Sequence, residues 1–302
     1  MSAMAAREPQ WTRRGERGSP ALIRFMVWFS LAAGRRVSRV LLRMIAVYFL
    51  ATGGAERRAT RDFLARALGR KPTIGEQYRT FFDFAATIHD RIYFLKSRFD
   101  LFEIEVHGRE LFESQGGALL MGGHLGSFES MRACGRGLIH REVAMAMFGA
   151  QAQKIQRVLE AIAPGSSADI VPLGEVQSML ALQGRLEAGA LVGVLADRTF
   201  HEEATIAVPF FGTQAPLPTG PMRMAAALRQ RVIFMVGLYR GGNRYELHFE
   251  PLADFTQLDG LTRAERDARV REAVAAFAAR LEHHARSAPH NWFNFYDFWG
   301  TP

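Results

Sequence analysis

The sequence predicts an α/β protein: a central, mostly parallel or mixed sheet flanked by helices, with membrane-associating helices at the N-terminus. Three observations carry this expectation. From about residue 104, short apolar runs alternate with amphipathic stretches, the pattern of strands joined by helical crossovers. Residues 20–50, by contrast, form one long aromatic and aliphatic stretch studded with arginine. Charge divides the chain in the same place. Residues 1–71 carry 15 Lys+Arg against 4 Asp+Glu, whereas the other 231 residues carry 23 against 26.

The N-terminal part comes first. Residues 1–19 are short of apolar side chains apart from Trp11 and read as a loosely ordered lead-in. In "PALIRFMVWFSLAAGRRVSRVLLRMIAVYFL" (20–50) the longest charge-free run is ten residues, against about 20 needed to cross a bilayer. A cleavable signal does not fit, because the apolar run leads into more arginines without a small-residue cleavage site. Helices lying in the membrane interface, aromatic and aliphatic side chains inward and arginines at the headgroups, fit this pattern. A pair of core helices with solvated arginines is the alternative. Nucleic acid is not an expected partner, since nothing resembles a helix-turn-helix or an aromatic-basic RNA platform. A basic helix follows at 55–70, ended by Gly69 and Pro72, so that 20–71 reads as one basic amphipathic segment ahead of a body spanning 72–302. Tyr78, Phe81, Phe82, Phe84 and Phe94 then recur near helical spacing.

In the body, strands are expected at 102–108, 117–122, 142–148, 168–173 and 190–197, and helices at 127–137, 151–162 and 175–188. "RVIFMVGLYRGGNRYELHFEPL" (231–252) reads as two strands turning at Gly241-Gly242-Asn243. A helix at 262–286 and the aromatic tail "NWFNFYDFW" (291–299) finish the chain. The single cysteine, Cys134, excludes an intramolecular disulfide framework and reads as a small buried helix residue.

Chemistry concentrates in "LMGGHLGSFES" (120–130). A strand runs into two glycines, His124 stands in the loop, and Ser127 is placed to cap the helix whose first turn carries Glu129. That spacing lets a carboxylate hold one ring nitrogen protonated and leave the other free as a base, which is the base-and-orienter half of a catalytic triad. The enzyme's own nucleophile is missing: no G-x-S-x-G elbow occurs. A base without an enzymic nucleophile points to a substrate that brings its own hydroxyl or amine. Gly122 and Gly123 allow close approach of a ligand or simply form a tight turn. His201, His283, His284 and His290 lack metal-ligand spacing, and neither metal nor cofactor is expected.

Three motifs together resemble the lysophospholipid acyltransferase superfamily, and within it the bacterial lipid A late-acyltransferase branch. They are His124 and Glu129 in H-x4-E after "MGG", Asp197 and Arg198 ending "LVGVLADR", and the block "VPFFGTQAPLPTGPMRMA" (208–225). The resemblance implies an acyltransferase in which His124 deprotonates the acceptor as it attacks a thioester and Glu129 stabilises the imidazolium. It also implies Gly123, Asp197, Arg198, Phe210, Phe211, Gly212 and Arg223 as residues at the substrate. Asp197 and Arg198 read equally as an ion pair at a strand end, and Arg223 as a phosphate ligand or a surface arginine. Backbone N–H groups near Gly122–Gly126, with Arg198, are expected to receive the oxyanion. The partners implied are an acyl carrier protein or CoA thioester, a lipid acceptor and an anionic membrane surface, at the cytoplasmic face of the inner membrane. A non-catalytic membrane-binding protein and a thioester or lipid hydrolase are the alternatives. Residues 148–162 lack the Asn-Pro element common in the lipid A branch, and the tail differs too, so that both point to a sister branch.

Overall fold

The computed structural model describes residues 20–113, 116–137, 141–148, 169–199 and 203–300, together with 152, 153, 156, 159, 160 and 162. The lead-in at 1–19, most of the helix expected at 151–162, His201 and the Cys134 side chain lie outside the described residues.

Three helices open the chain: α1 (Pro20–Thr52), α2 (Gly54–Leu68) and α3 (Ile74–Leu95). Gly34 kinks α1 by adopting φ 79°, a conformation that costs glycine little. Thr73 and Glu76 form a capping box that starts α3, each satisfying a backbone N–H that the first turn leaves unpaired. The arginines of α1 divide into two groups. Arg35 makes a two-pronged pair with the buried Asp90 of α3 at 2.7 and 2.8 Å, and Arg39 approaches the same carboxylate at 3.4 Å. Tyr245 also donates to Asp90, at 2.8 Å. These two arginines therefore serve the fold and not a headgroup region. Arg24, Arg36 and Arg43 remain exposed.

The body holds β1 (Glu103–His107), β2 (Ala118–Gly122), α4 (Phe128–Gly137), β3 (Val143–Phe148), β4 (Ile170–Leu173), α5 (Val176–Glu187) and β5 (Leu191–Leu195). A short hairpin follows, β6 (Thr205–Phe210) and β7 (Thr213–Pro218), and then α6 (Gly220–Ala227). The strands β8 (Arg231–Gly241) and β9 (Arg244–Asp254) and the helix α7 (Arg263–Ser287) complete it. Among the described residues, seven strands form one sheet in the order β1-β9-β8-β2-β5-β3-β4. Within this sheet, among the described residues, only β8 and β9 pair antiparallel, so the sheet is mostly parallel with one antiparallel hairpin. The expected strands and the turn at Gly241–Asn243 are all present. The hairpin β6–β7 was hidden in the sequence; its two turn residues, Phe211 and Gly212, both have positive φ, the geometry that suits a two-residue hairpin loop.

The sheet is covered on both faces, as parallel sheets require. Side chains alternate along β2. Leu119 and Met121 join the core that includes Val274, Phe277 and Leu281 of α7, while Ala118 and Leu120 pack with Met131 of α4 and Phe112. That double burial leaves the carboxyl edge of the parallel strands as the place where loops emerge.

Candidate active site

β2 and β5 are parallel neighbours with Gly122 opposite Leu195, so the loops after them leave the same sheet edge side by side. His124 stands two residues past β2 and Asp197 two residues past β5. Adjacent strands are about 4.8 Å apart, which brings the two side chains into direct contact. His124 Nδ1 lies 2.7 Å from Asp197 Oδ1, and the His124 backbone N–H donates to Oδ2 at 2.8 Å. The Trp292 indole N–H donates to the same Oδ2 at 3.2 Å. Gly123 explains how the carboxylate fits. A Cβ there would meet Asp197 Cγ and Oδ2 at 3.1 Å and Leu281 at 3.0 Å. This glycine makes room for Asp197.

The electrostatics suit a neutral base. Burial pushes the Asp197 carboxyl up, but His124, Arg198 and the donated hydrogen bonds outweigh it and hold the carboxyl at about 2. Burial and the nearby Arg198 guanidinium push the His124 imidazole below the ordinary histidine value, against the opposite pull of Asp197. With an ionised acceptor at Nδ1, the neutral ring carries its proton there and leaves the Nε2 lone pair available. The His124 side chain keeps 27% of its surface exposed, while Asp197 keeps 1%. Arg198 donates to the Phe293 carbonyl at 3.3 Å, and its guanidinium lies over the Tyr296 ring.

Glu129, expected to hold the His124 ring, is occupied elsewhere. It is buried at 3.0 Å from Arg132 and 3.8 Å from Arg91, and Arg132 also reaches Asp169 at 3.1 Å. The reason lies in helix geometry: residues three apart share a face, so Glu129 meets Arg132 within α4. The carboxylate against the imidazole comes from the neighbouring strand. The backbone donors expected for an oxyanion are also partly committed, His124 N–H to Asp197 and Gly126 N–H to the Asn291 carbonyl at 2.8 Å. Arg198 is the cationic group beside the pair.

Phe210 and Phe211, expected at the substrate, lie in the aromatic core. They are 0% and 5% exposed and pack with Trp292, Phe298 and Trp299, and Gly212 forms the tip of their hairpin. Arg223 pairs with Asp267 of α7 at 2.9 Å, which satisfies its charge without a phosphate. Ser127 and Ser130 are buried and bonded to each other, Ser130 Oγ donating to the Ser127 carbonyl at 2.7 Å, so neither is presented as a nucleophile. The tail makes contacts that the sequence reading missed. Leu125 pairs with Trp292 in an antiparallel bridge, and the Phe293 N–H donates to the His124 carbonyl at 2.8 Å. Its only signal in the sequence was hydrogen-bonding Asn and Trp side chains inside an aromatic run. Among the described residues, no group of His, Cys, Asp and Glu is placed to hold a metal ion.

The crystal structure of a 1-acyl-sn-glycerophosphate acyltransferase, PlsC, from Thermotoga maritima is similar at a TM-score of 0.38 and 14% identity, covering 87% of this chain and 97% of that one. No curated protein matches the sequence. The family model described as bacterial lipid A biosynthesis acyltransferase matches residues 21–301, nearly the whole chain. The protein belongs to that family.

Proposed function

We propose that the protein moves a fatty acyl group from an acyl thioester, of acyl carrier protein or CoA, to a hydroxyl or amine of a lipid-linked acceptor. The observation that carries this reading is the His124–Asp197 contact at 2.7 Å in a site whose nearby serines are buried. The acceptor supplies the nucleophile. Its oxygen or nitrogen attacks the thioester carbonyl while its proton passes to His124 Nε2. Asp197 holds the ring in the reactive tautomer and stabilises the imidazolium that forms. Arg198 lends positive charge to the tetrahedral oxyanion. Collapse of that intermediate breaks the C–S bond, and the imidazolium returns its proton to the departing thiolate. The ester or amide and the free thiol are the products. Glu129 pairs with Arg132 of α4 and Arg91 of α3.

The acceptor reaches this site from a membrane. Support comes from the outward face of α1, where Trp28, Val40 and Met44 are 64%, 57% and 69% exposed, with Leu31, Val37, Val47 and Tyr48 exposed beside them. Phe84 and Ile88 of α3 are exposed as well. Exposed Arg24, Arg36 and Arg43 suit anionic headgroups at its border. No single helix among the described residues is long and apolar enough to cross a membrane, whereas α1 and α2, bent by 95°, pass such a test together by length and composition. A surface-bound position on the cytoplasmic face, where acyl thioesters are made, fits both.

The test is an assay with labelled acyl thioester alone, and then with total lipid extract added. Transfer of label to lipid is expected, with His124→Ala reducing it about 10²–10⁴-fold. Equal thioester breakdown with and without lipid would make the protein a hydrolase and overturn the reading.

A further inference from the structure

We propose that the C-terminal segment Asn291–Phe293 is part of the catalytic apparatus, and that Trp292 is a positioning residue fixing Asp197 against His124 through its indole N–H. The inference rests on the acyl-transfer reading of His124. Three contacts tie the segment to the site. Phe293 N–H donates to the His124 carbonyl and the Asn291 carbonyl accepts from Gly126 N–H, both at 2.8 Å, so the loop carrying the base is pinned on either side of Leu125. Trp292 Nε1–H donates to Asp197 Oδ2 at 3.2 Å.

The third contact has chemical consequences. Asp197 receives three donors: the His124 ring at Oδ1, and the His124 backbone and the Trp292 indole at Oδ2. A carboxylate with donors on both oxygens cannot rotate about its Cβ–Cγ bond without breaking a charge-assisted bond. The indole also draws part of the negative charge toward Oδ2. Without it, Oδ1 becomes the stronger acceptor and favours the protonated imidazole, which is the wrong form for a base. Packing holds the indole in place. Trp292 is 1% exposed, with ring contacts to Phe63 at 4.6 Å and Phe298 at 4.9 Å. Asn291 anchors the segment from the other side, its Oδ1 accepting the Tyr239 N–H at 2.6 Å. A tryptophan packed only for bulk would not need its N–H on a buried carboxylate.

The charged and titratable groups acting on the His124–Asp197 pair are each other, Arg198 on the same loop as Asp197, and Tyr296, which lies over Arg198. None of them is altered by changing Trp292, so a shift in the pH profile reports the indole alone.

The experiment compares kcat/KM against pH for the wild type, Trp292→Phe, and a chain with benzothienylalanine at position 292, in which sulfur replaces the N–H within the same ring shape. Full-length protein and the transfer assay above are used throughout. Both changes are expected to lower kcat/KM about 10-fold and to move the acid limb upward by about half a pH unit. Phe298→Leu, which loosens the same aromatic packing but spares the N–H, is expected to lower the thermal midpoint and leave the limb in place. An unmoved limb in the benzothienyl chain, with activity within twofold of wild type, would reduce Trp292 to a packing residue and overturn the proposal. If His124→Ala retains activity, the acyl-transfer reading fails first, and that outcome is separate from anything the Trp292 variants show.

Discussion

Asp197→Asn separates the two carboxylates that compete for the role of orienter. The substitution conserves volume in a site where Asp197 is 2% exposed, so the fold should tolerate it. Its effect on the imidazole follows from counting donors. Oδ2 accepts two N–H groups, from the His124 backbone at 2.8 Å and Trp292 at 3.2 Å, and Oδ1 faces Nδ1 at 2.7 Å. An asparagine has one carbonyl oxygen and one NH₂. The oxygen will take the position with two donors, which turns the NH₂ toward Nδ1. The ring must then accept at Nδ1 and carry its proton at Nε2, the nitrogen that has to receive the acceptor's proton. In the serine-protease triad the same change lowers kcat by about 10⁴-fold with geometry intact, and a loss of about 10³–10⁴-fold is expected here. Steady-state transfer of labelled acyl groups measures it, with a thermal midpoint within a few degrees of wild type as the folding control. A well-folded Asp197→Asn protein that keeps more than a tenth of wild-type activity would refute the orienting role.

Glu129→Gln should behave differently. Removing the charge from a pair that is 4% and 3% exposed takes one carboxylate away from the Arg132 guanidinium and should cost about 1–3 kcal/mol of stability, read by denaturant unfolding. Whatever activity is lost, the acid limb of kcat/KM should stay in place; a moved limb would put Glu129 on the imidazole. In wild-type enzyme that limb should lie below the ordinary histidine value of about 6.5, because burial and Arg198 hold His124 down. Acid should also destabilise the protein through His290, which burial and Arg79 push down to about 4. The unfolded chain binds that proton more readily, so stability is full above pH ~6.5 and falls as pH drops toward ~4. His290→Gln should flatten the thermal midpoint across that window, and an unchanged slope would reject the assignment. At the membrane, Trp28→Glu with Met44→Glu should weaken flotation with anionic vesicles by about 10³-fold, since each side chain contributes about 2 kcal/mol of apolar burial. High salt should weaken flotation only in part, because it screens arginine and not burial. If intact protein fails to float even at low salt, the membrane reading is wrong.

What the sequence determined by itself was everything with a local cause. Alternating apolar runs such as "ALLMG" and "LVGVL" became strands because each is buried on both faces. The Gly241–Asn243 turn joined β8 to β9 because glycine accepts the positive φ required there. His124 stood in a loop beyond a strand because two glycines end that strand. The tertiary structure decided who touches whom. Glu129 is five residues from His124 yet turns to Arg132, and Asp197, 73 residues away, holds the ring. That pairing depends on β5 lying beside β2, a neighbourhood set by how helices cover both faces of the sheet and by no residue near either loop. The arginines of α1 show the same division. Their charge was plain in the sequence, but the buried Asp90 on another helix singled out Arg35 and Arg39 for the core, leaving Arg24, Arg36 and Arg43 to face outward. Spacing along the chain specifies which side chains share an element; only packing of distant elements specifies which of them share a proton.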